Sequence, residues 1–259
     1  MLRPFITVIL LLASIPCLAQ NSDARSELLQ GVTDYKNARY ESAIQHFQRA
    51  ADLDPALLNA RLYLATAYAQ QYIPGADTPE NIAVAERAIT EYKRVLEADS
   101  ANVNSIKGIA YLYLMMKKFD DSKSYYLKAS EVDPSDPENY YAAGVIDWTI
   151  TYQPRMMLYA DLGMKPVDEG FITKPQCWQL RERSLSTVED GIRLMTKALE
   201  LRPDYDDAMA YMNLLLRERA AIQCGNQAAS NKDQNEADKW VDLTMETKRK
   251  KVEAAKKQD

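Results

Sequence analysis

Three groups of residues in this chain are of types that could carry chemistry. A single histidine, His46, would be a general base if a proton donor met it. The cysteines at positions 17, 177 and 224 could be thiolate nucleophiles or metal ligands, or two of them could pair as a disulfide. The acidic pairs Glu189-Asp190 and Asp206-Asp207 place carboxylates side by side, as acid–base sites do. None of the three has the company its chemistry needs. His46 sits between Gln45 and Phe47 with no partner at helical spacing and reads as a surface residue. One histidine and two distant cysteines fall short of the four ligands of a structural zinc site. The acidic pairs read as helix starts, where the helix dipole favours negative charge. The sequence contains no glycine-rich phosphate loop, nucleophile elbow, haem-attachment pair or metal-ligand cluster. The expectation is therefore no catalytic residue, no metal and no cofactor.

What remains to be positioned is a core. Of the 259 residues 47% are apolar, enough to build one, and only 8 are Gly and 11 Pro, a composition that favours helices. A formal net charge of −5 supplies no basic field for phosphates, so nucleic acid is not an expected partner. The first 19 residues read separately. Arg3, the apolar run Phe5 to Ile15 and the small residues around Cys17-Leu18-Ala19 form a secretory signal, cut before Gln20. The apolar stretch of roughly 14 residues is short of the about 20 needed to span a bilayer. Lipidation at Cys17 is the weaker reading, because Pro16 stands where a small residue is usual. Any membrane association of the mature chain would be peripheral.

The rest of the chain repeats itself. Ala43-Ile44-x-x-Phe47-x-x-Ala50 leads to Asp54-Pro55, and Ala88-Ile89-x-x-Tyr92-x-x-Val95 leads to Asp99-Ser100. Ser122-x-x-x-Tyr126-x-x-Ala129 leads to Asp133-Pro134, and Gly191-Ile192-x-x-Met195-x-x-Ala198 leads to Arg202-Pro203. These starts lie 45, 34 and 69 residues apart, which fits one 34-residue period lengthened in two places. An apolar helix precedes each segment, over Leu28 to Tyr35, Leu62 to Tyr68, Ile106 to Tyr113 and Tyr140 to Trp148, and Ala208 to Leu216 follows the last. Small residues such as Ala110 and Ser122 fall where paired helices would cross closely, and Pro ends the second helix by lacking an amide donor.

This pattern resembles the tetratricopeptide repeat, best in the third unit, where Ile106, Ile109, Ala110, Tyr113, Phe119, Ser122, Tyr126, Ala129 and Pro134 stand at the family's landmark spacings. The expected fold is all-α, a tetratricopeptide-repeat solenoid of about five helical hairpins over 24–57, 58–102, 103–136, 137–205 and 206–257, with insertions near 71–81 and 149–178. The first unit departs at Glu27 and Gln30, the second at Ser100 and the fourth at Asp147. The final helix is expected from about Asn235 to Lys257, ending in the charged run Lys248 to Lys251. In its overall pattern the chain resembles exported tetratricopeptide proteins of acidobacteria-like Gram-negative bacteria, which implies a periplasmic location.

The shorter insertion reads as a surface loop closed by a helix cap at Thr78. The longer one carries Met156, Met157, Leu158, Tyr159, Leu162, Met164 and Phe171 and is too apolar to float in water, so it must dock, either outside the stack or over its groove. Antiparallel helices joined near Asp204 set Cys224 opposite roughly residue 184, within reach of Cys177. A Cys177–Cys224 disulfide is therefore expected, with two separate thiols as the alternative.

In the family the first helices of successive hairpins line a concave groove. Carried over by position, the resemblance implies that Leu62, Thr66, Lys107, Tyr111, Tyr141, Val145 and Trp148 face a partner protein or peptide. A clamp for a terminal carboxylate lacks its second cation beside Lys107 and Asn104. The expected function is a non-catalytic adaptor in the cell envelope. The alternative is an assembly scaffold acting through the basic C-terminal helix. The groove aromatics could also be consumed by packing against the long insertion.

Overall fold

The computed structural model describes residues 16–165 and 173–257. Most of the expected leader, and Phe171, lie outside them. The described residues form ten helices and no strand: α1 Pro16–Lys36, α2 Tyr40–Leu53, α3 Leu58–Gln71, α4 Pro79–Ala98, α5 Val103–Met115, α6 Phe119–Val132, α7 Pro137–Asp161, α8 Pro175–Leu201, α9 Asp206–Ala221 and α10 Gln227–Ala255. The chain divides into two compact units, residues 1–108 and 109–259.

The repeated Asp that follows three of the second helices has a definite job. Asp54, Asp99 and Asp133 each cap a helix, and each carboxylate accepts the backbone N–H two residues on, at 3.0, 3.2 and 3.1 Å. This side-chain turn ends α2, α4 and α6 and starts the descent into the next helix. Inside the hairpins α1–α2 and α5–α6 the turn passes through a left-handed residue, Ala38 at φ 56° and Lys117 at φ 57°, a conformation in which a side chain costs free energy.

In the first unit Ala43, Phe47, Leu64 and Ala67 are buried, with Leu28, Val32, Tyr35, Ile44 and Tyr68 packed against them. The helices approach closely enough that a Cβ on Gly31 would meet the Phe47 ring at 2.5 Å. Thr78 caps α4 by accepting the Asn81 N–H at 3.2 Å, and the Asn81 amide donates to Ile73 and Ala76 carbonyls at 2.8 Å each, which closes the loop. The loop thus ends at the expected Thr78 cap, and α4 starts at Pro79, a residue suited to a first helical turn.

In the second unit Ser122 is buried and its hydroxyl donates to the Ala110 carbonyl at 2.8 Å, the close helix crossing that its small size permits. Among its described residues the long insertion is mostly helix: residues 149–161 continue α7 and α8 begins at Pro175, which lengthens the hairpin. Tyr159 is buried beside Cys177, Leu180, Cys224 and Ile222, and Leu158, Leu162 and Met164 pack on that cluster. Cys177 and Cys224 are joined, with Cα atoms 5.6 Å apart. Arg155 reaches α9, donating to both Glu218 oxygens at 2.7 and 2.6 Å.

Two expectations are corrected. Glu189 and Asp190 do not start a helix: α8 has already buried Leu180, Ser184 and Val188 at helical spacing upstream, so the pair falls mid-helix. The last helix starts at Gln227, eight residues before the expected point, because Asn226 caps it by accepting the Ala229 N–H at 3.0 Å.

Candidate partner-binding surfaces

The first unit holds an open pocket of about 530 Å³, lined by Val32, Tyr35 and Lys36 of α1, Leu62, Tyr63 and Thr66 of α3, Phe47 of α2 and Asn104 of α5. Two of the expected groove residues, Leu62 and Thr66, are in this wall. Thr66 is oriented by donating to the Leu62 carbonyl at 2.8 Å and lies 3.2 Å from the Tyr92 hydroxyl. Phe47 and Tyr63 meet at a tilt of 49° with ring centres 5.7 Å apart, and Tyr63 is 40% exposed. Lys107 is half-buried and already has an interaction partner. The contributions of Tyr35, Lys36 and Tyr63 were missed from the sequence. The signal was the spacing of Val32, Tyr35 and Lys36, which shares one face of α1.

In the second unit the expected residues separate. Tyr111 is 50% exposed. Tyr141 and Trp148 are half-buried in an aromatic cluster: Tyr141 lies 4.9 Å from Tyr205 and 5.7 Å from Tyr211, and Trp148 lies 5.4 Å from Tyr211 and stacks on Tyr152 at 4.8 Å. Val145 packs on the same core. Burial pushes the Tyr141 hydroxyl well above the usual tyrosine value, with Tyr211 adding to it. Tyr152 belongs to the insertion, so Trp148 is consumed in part by packing against it.

The charged groups that looked idle in the sequence are partnered across helices. His46 is not an isolated surface residue. Its Nδ1 lies 2.7 Å from the Glu27 carboxylate and its Nε2 3.7 Å from Asp34, both on α1, because a hairpin supplies partners that spacing within one helix cannot show. The Ser42 hydroxyl donates to Asp34, not to the ring, so the histidine does not activate it. Asp147, which replaces an aromatic residue of the repeat, has no solvent exposure and takes Lys123 at 2.6 and 2.9 Å, while the same ammonium reaches Asp190 at 2.7 Å. Burial pushes the Asp147 carboxyl up to about 6 despite the lysine. Asp190, with Lys123 and Arg193 outweighing its own burial, is held below the ordinary carboxylate value. Among the described residues no group of three or more His, Cys, Asp or Glu could hold a metal ion, and no helix is long and apolar enough to cross a membrane.

Helical hairpins of constant construction define a helical-repeat protein. Residues 108–136 match the family model of the tetratricopeptide repeat. Solved structures with the same fold include MamA (13% identity, 90% of this chain and 95% of that one, TM-score 0.59) and MamA from Desulfovibrio magneticus RS-1 (14%, 88% and 96%, 0.57). Pseudomonas aeruginosa PilF is similar too (14%, 88% and 78%, 0.52). No curated protein matches in sequence. The chain thus carries a tetratricopeptide repeat over residues 108–136 and shares the all-helical fold of these solved structures.

Proposed function

We propose that the protein is an exported, non-catalytic adaptor of the cell envelope that holds segments of other proteins on the face presented by the first helices of its hairpins. The observation that carries this reading is the open apolar pocket of the first unit, walled by α1, α3 and α5. Its volume of about 530 Å³ accommodates one or two large side chains of a bound segment. Aromatic walls with polar tips suit such recognition, because they bury area at low entropic cost. Export is supported by the disulfide, which persists in oxidising compartments, together with the apolar leader. The alternative, a scaffold acting through α10, is less favoured because its basic run is largely neutralised: Lys251 lies 2.5 Å from Asp206, Lys250 2.7 Å from Glu246 and Arg249 3.9 Å from Glu253.

Cross-linked co-purification of the tagged mature protein from its own envelope, beside Tyr63→Ala, tests the proposal. The exposed Tyr63 is the right probe, since replacing the packed Tyr141 or Trp148 would disturb the core. Partners retained by the native chain and lost with Tyr63→Ala support the adaptor. Partners that persist in the variant but are released by salt point to α10 instead.

A further inference from the structure

The pocket of the first unit is apolar in its walls but not uniform in its rim. Lys36, in the last turn of α1, is exposed and, among the described residues, has no carboxylate partner. Neighbouring cations of the hairpin are committed elsewhere: Arg39 to Asp34 at 2.6 Å and Arg49 to Glu27 at 2.8 Å. Asn104, at the start of α5, is exposed on the same pocket with its side-chain amide unbonded among the described residues. An ammonium with three free donors and an amide with two therefore border a pocket of Tyr35, Phe47, Leu62 and Tyr63.

Resting on the adaptor reading above, we propose that this pocket selects protein segments in which a bulky apolar side chain lies within about two residues of an Asp or Glu, the apolar group entering between Phe47, Leu62 and Tyr63 and the carboxylate meeting Lys36 and Asn104. The chain as a whole carries a formal charge of −5, so its long-range field disfavours acidic ligands. A preference for acid can then come only from local placement, and Lys36 is the cation so placed.

Selection from a phage-displayed library of random peptides tests this, with the purified mature protein, Lys36→Glu, Tyr63→Ala and Lys93→Glu as separate baits. Lys93 is an exposed α4 lysine outside the pocket and controls for net charge. Displayed peptides have no free C-terminus, so any selected acid is a side chain. The native protein and Lys93→Glu should enrich an apolar residue with a nearby Asp or Glu by about two- to fivefold over the unselected library, the range of one exposed ion pair. Lys36→Glu should keep the apolar preference and lose or reverse the acidic one, and Tyr63→Ala should lose both. Peptides that depend on Tyr63 but show no acidic preference, or keep it in Lys36→Glu, would overturn this inference and leave the adaptor standing. If no selected peptide depends on Tyr63, the adaptor reading of this pocket fails as well.

Discussion

Replacing Glu218 by Gln keeps the side chain's shape and deletes its charge. In the native chain Glu218 and Arg155 have side chains only 4% and 9% exposed and share two hydrogen bonds of 2.6 and 2.7 Å. The variant would leave a guanidinium buried between Tyr152 and Tyr159, whose ring centres lie 5.5 and 5.0 Å from it. Breaking a buried pair on one side costs about 3–5 kcal/mol, and because Gln still accepts one hydrogen bond the expected loss is near the lower end, about 3 kcal/mol. For a domain of this size that lowers Tm by about 6–12 °C. Urea unfolding followed by far-ultraviolet circular dichroism measures it, with the exposed pair Lys197–Glu200 as a control whose loss should cost under about 0.5 kcal/mol. The double replacement Arg155→Met with Glu218→Leu should recover most of the loss, since an apolar pair of similar volume carries no desolvation penalty. A loss below about 1 kcal/mol in Glu218→Gln, or a double variant no better than the single, would refute the claim that this pair anchors the extended α7 to α9.

Three further outcomes follow from the same structure. Reducing the Cys177–Cys224 bond, which spans 47 residues, should lower stability by about 4 kcal/mol on the loop-closure relation, read as a shift in denaturant midpoint with and without dithiothreitol. Ala38→Gly should raise stability by up to about 1 kcal/mol, since glycine adopts the left-handed turn at φ 56° without strain, and thermal unfolding would show it. Asp147 has a folded value of about 6 against an ordinary 3.8, so the folded state holds its proton more tightly and this residue's contribution falls as pH rises from about 4 to about 6. The stability of the native protein relative to Asp147→Asn should therefore drop by about 2–3 kcal/mol over that interval and stay flat above it; a rise would contradict the assignment.

The hairpins were legible because their determinants are local. Small residues at crossings, aromatic fillers and the Asp that ends three of the second helices act within a few residues of themselves, so Ala43, Phe47, Asp54 and their counterparts announce the period. The cysteine register was legible for the same reason, since two antiparallel helices fix which residues face each other. What sequence could not show were partners supplied by another helix. His46 meets Glu27 across a hairpin, and Asp147 meets Lys123 24 residues away in sequence. The long insertion hid its helix behind Pro154, a residue that suggests a break, although α7 runs through it. Lys36 and Tyr63 belong to helices far apart in sequence, and only the packing of α1 and α3 sets them on one pocket.

The central claim is that the first unit's pocket is where a partner segment lies. Hydrogen–deuterium exchange with mass spectrometry, on the mature protein alone and with a co-purified partner, tests it directly. Slowed exchange is expected in the peptides covering Val32–Lys36 and Leu62–Thr66, the two stretches that wall the pocket. Protection confined to α10, with those two stretches unchanged, would contradict it.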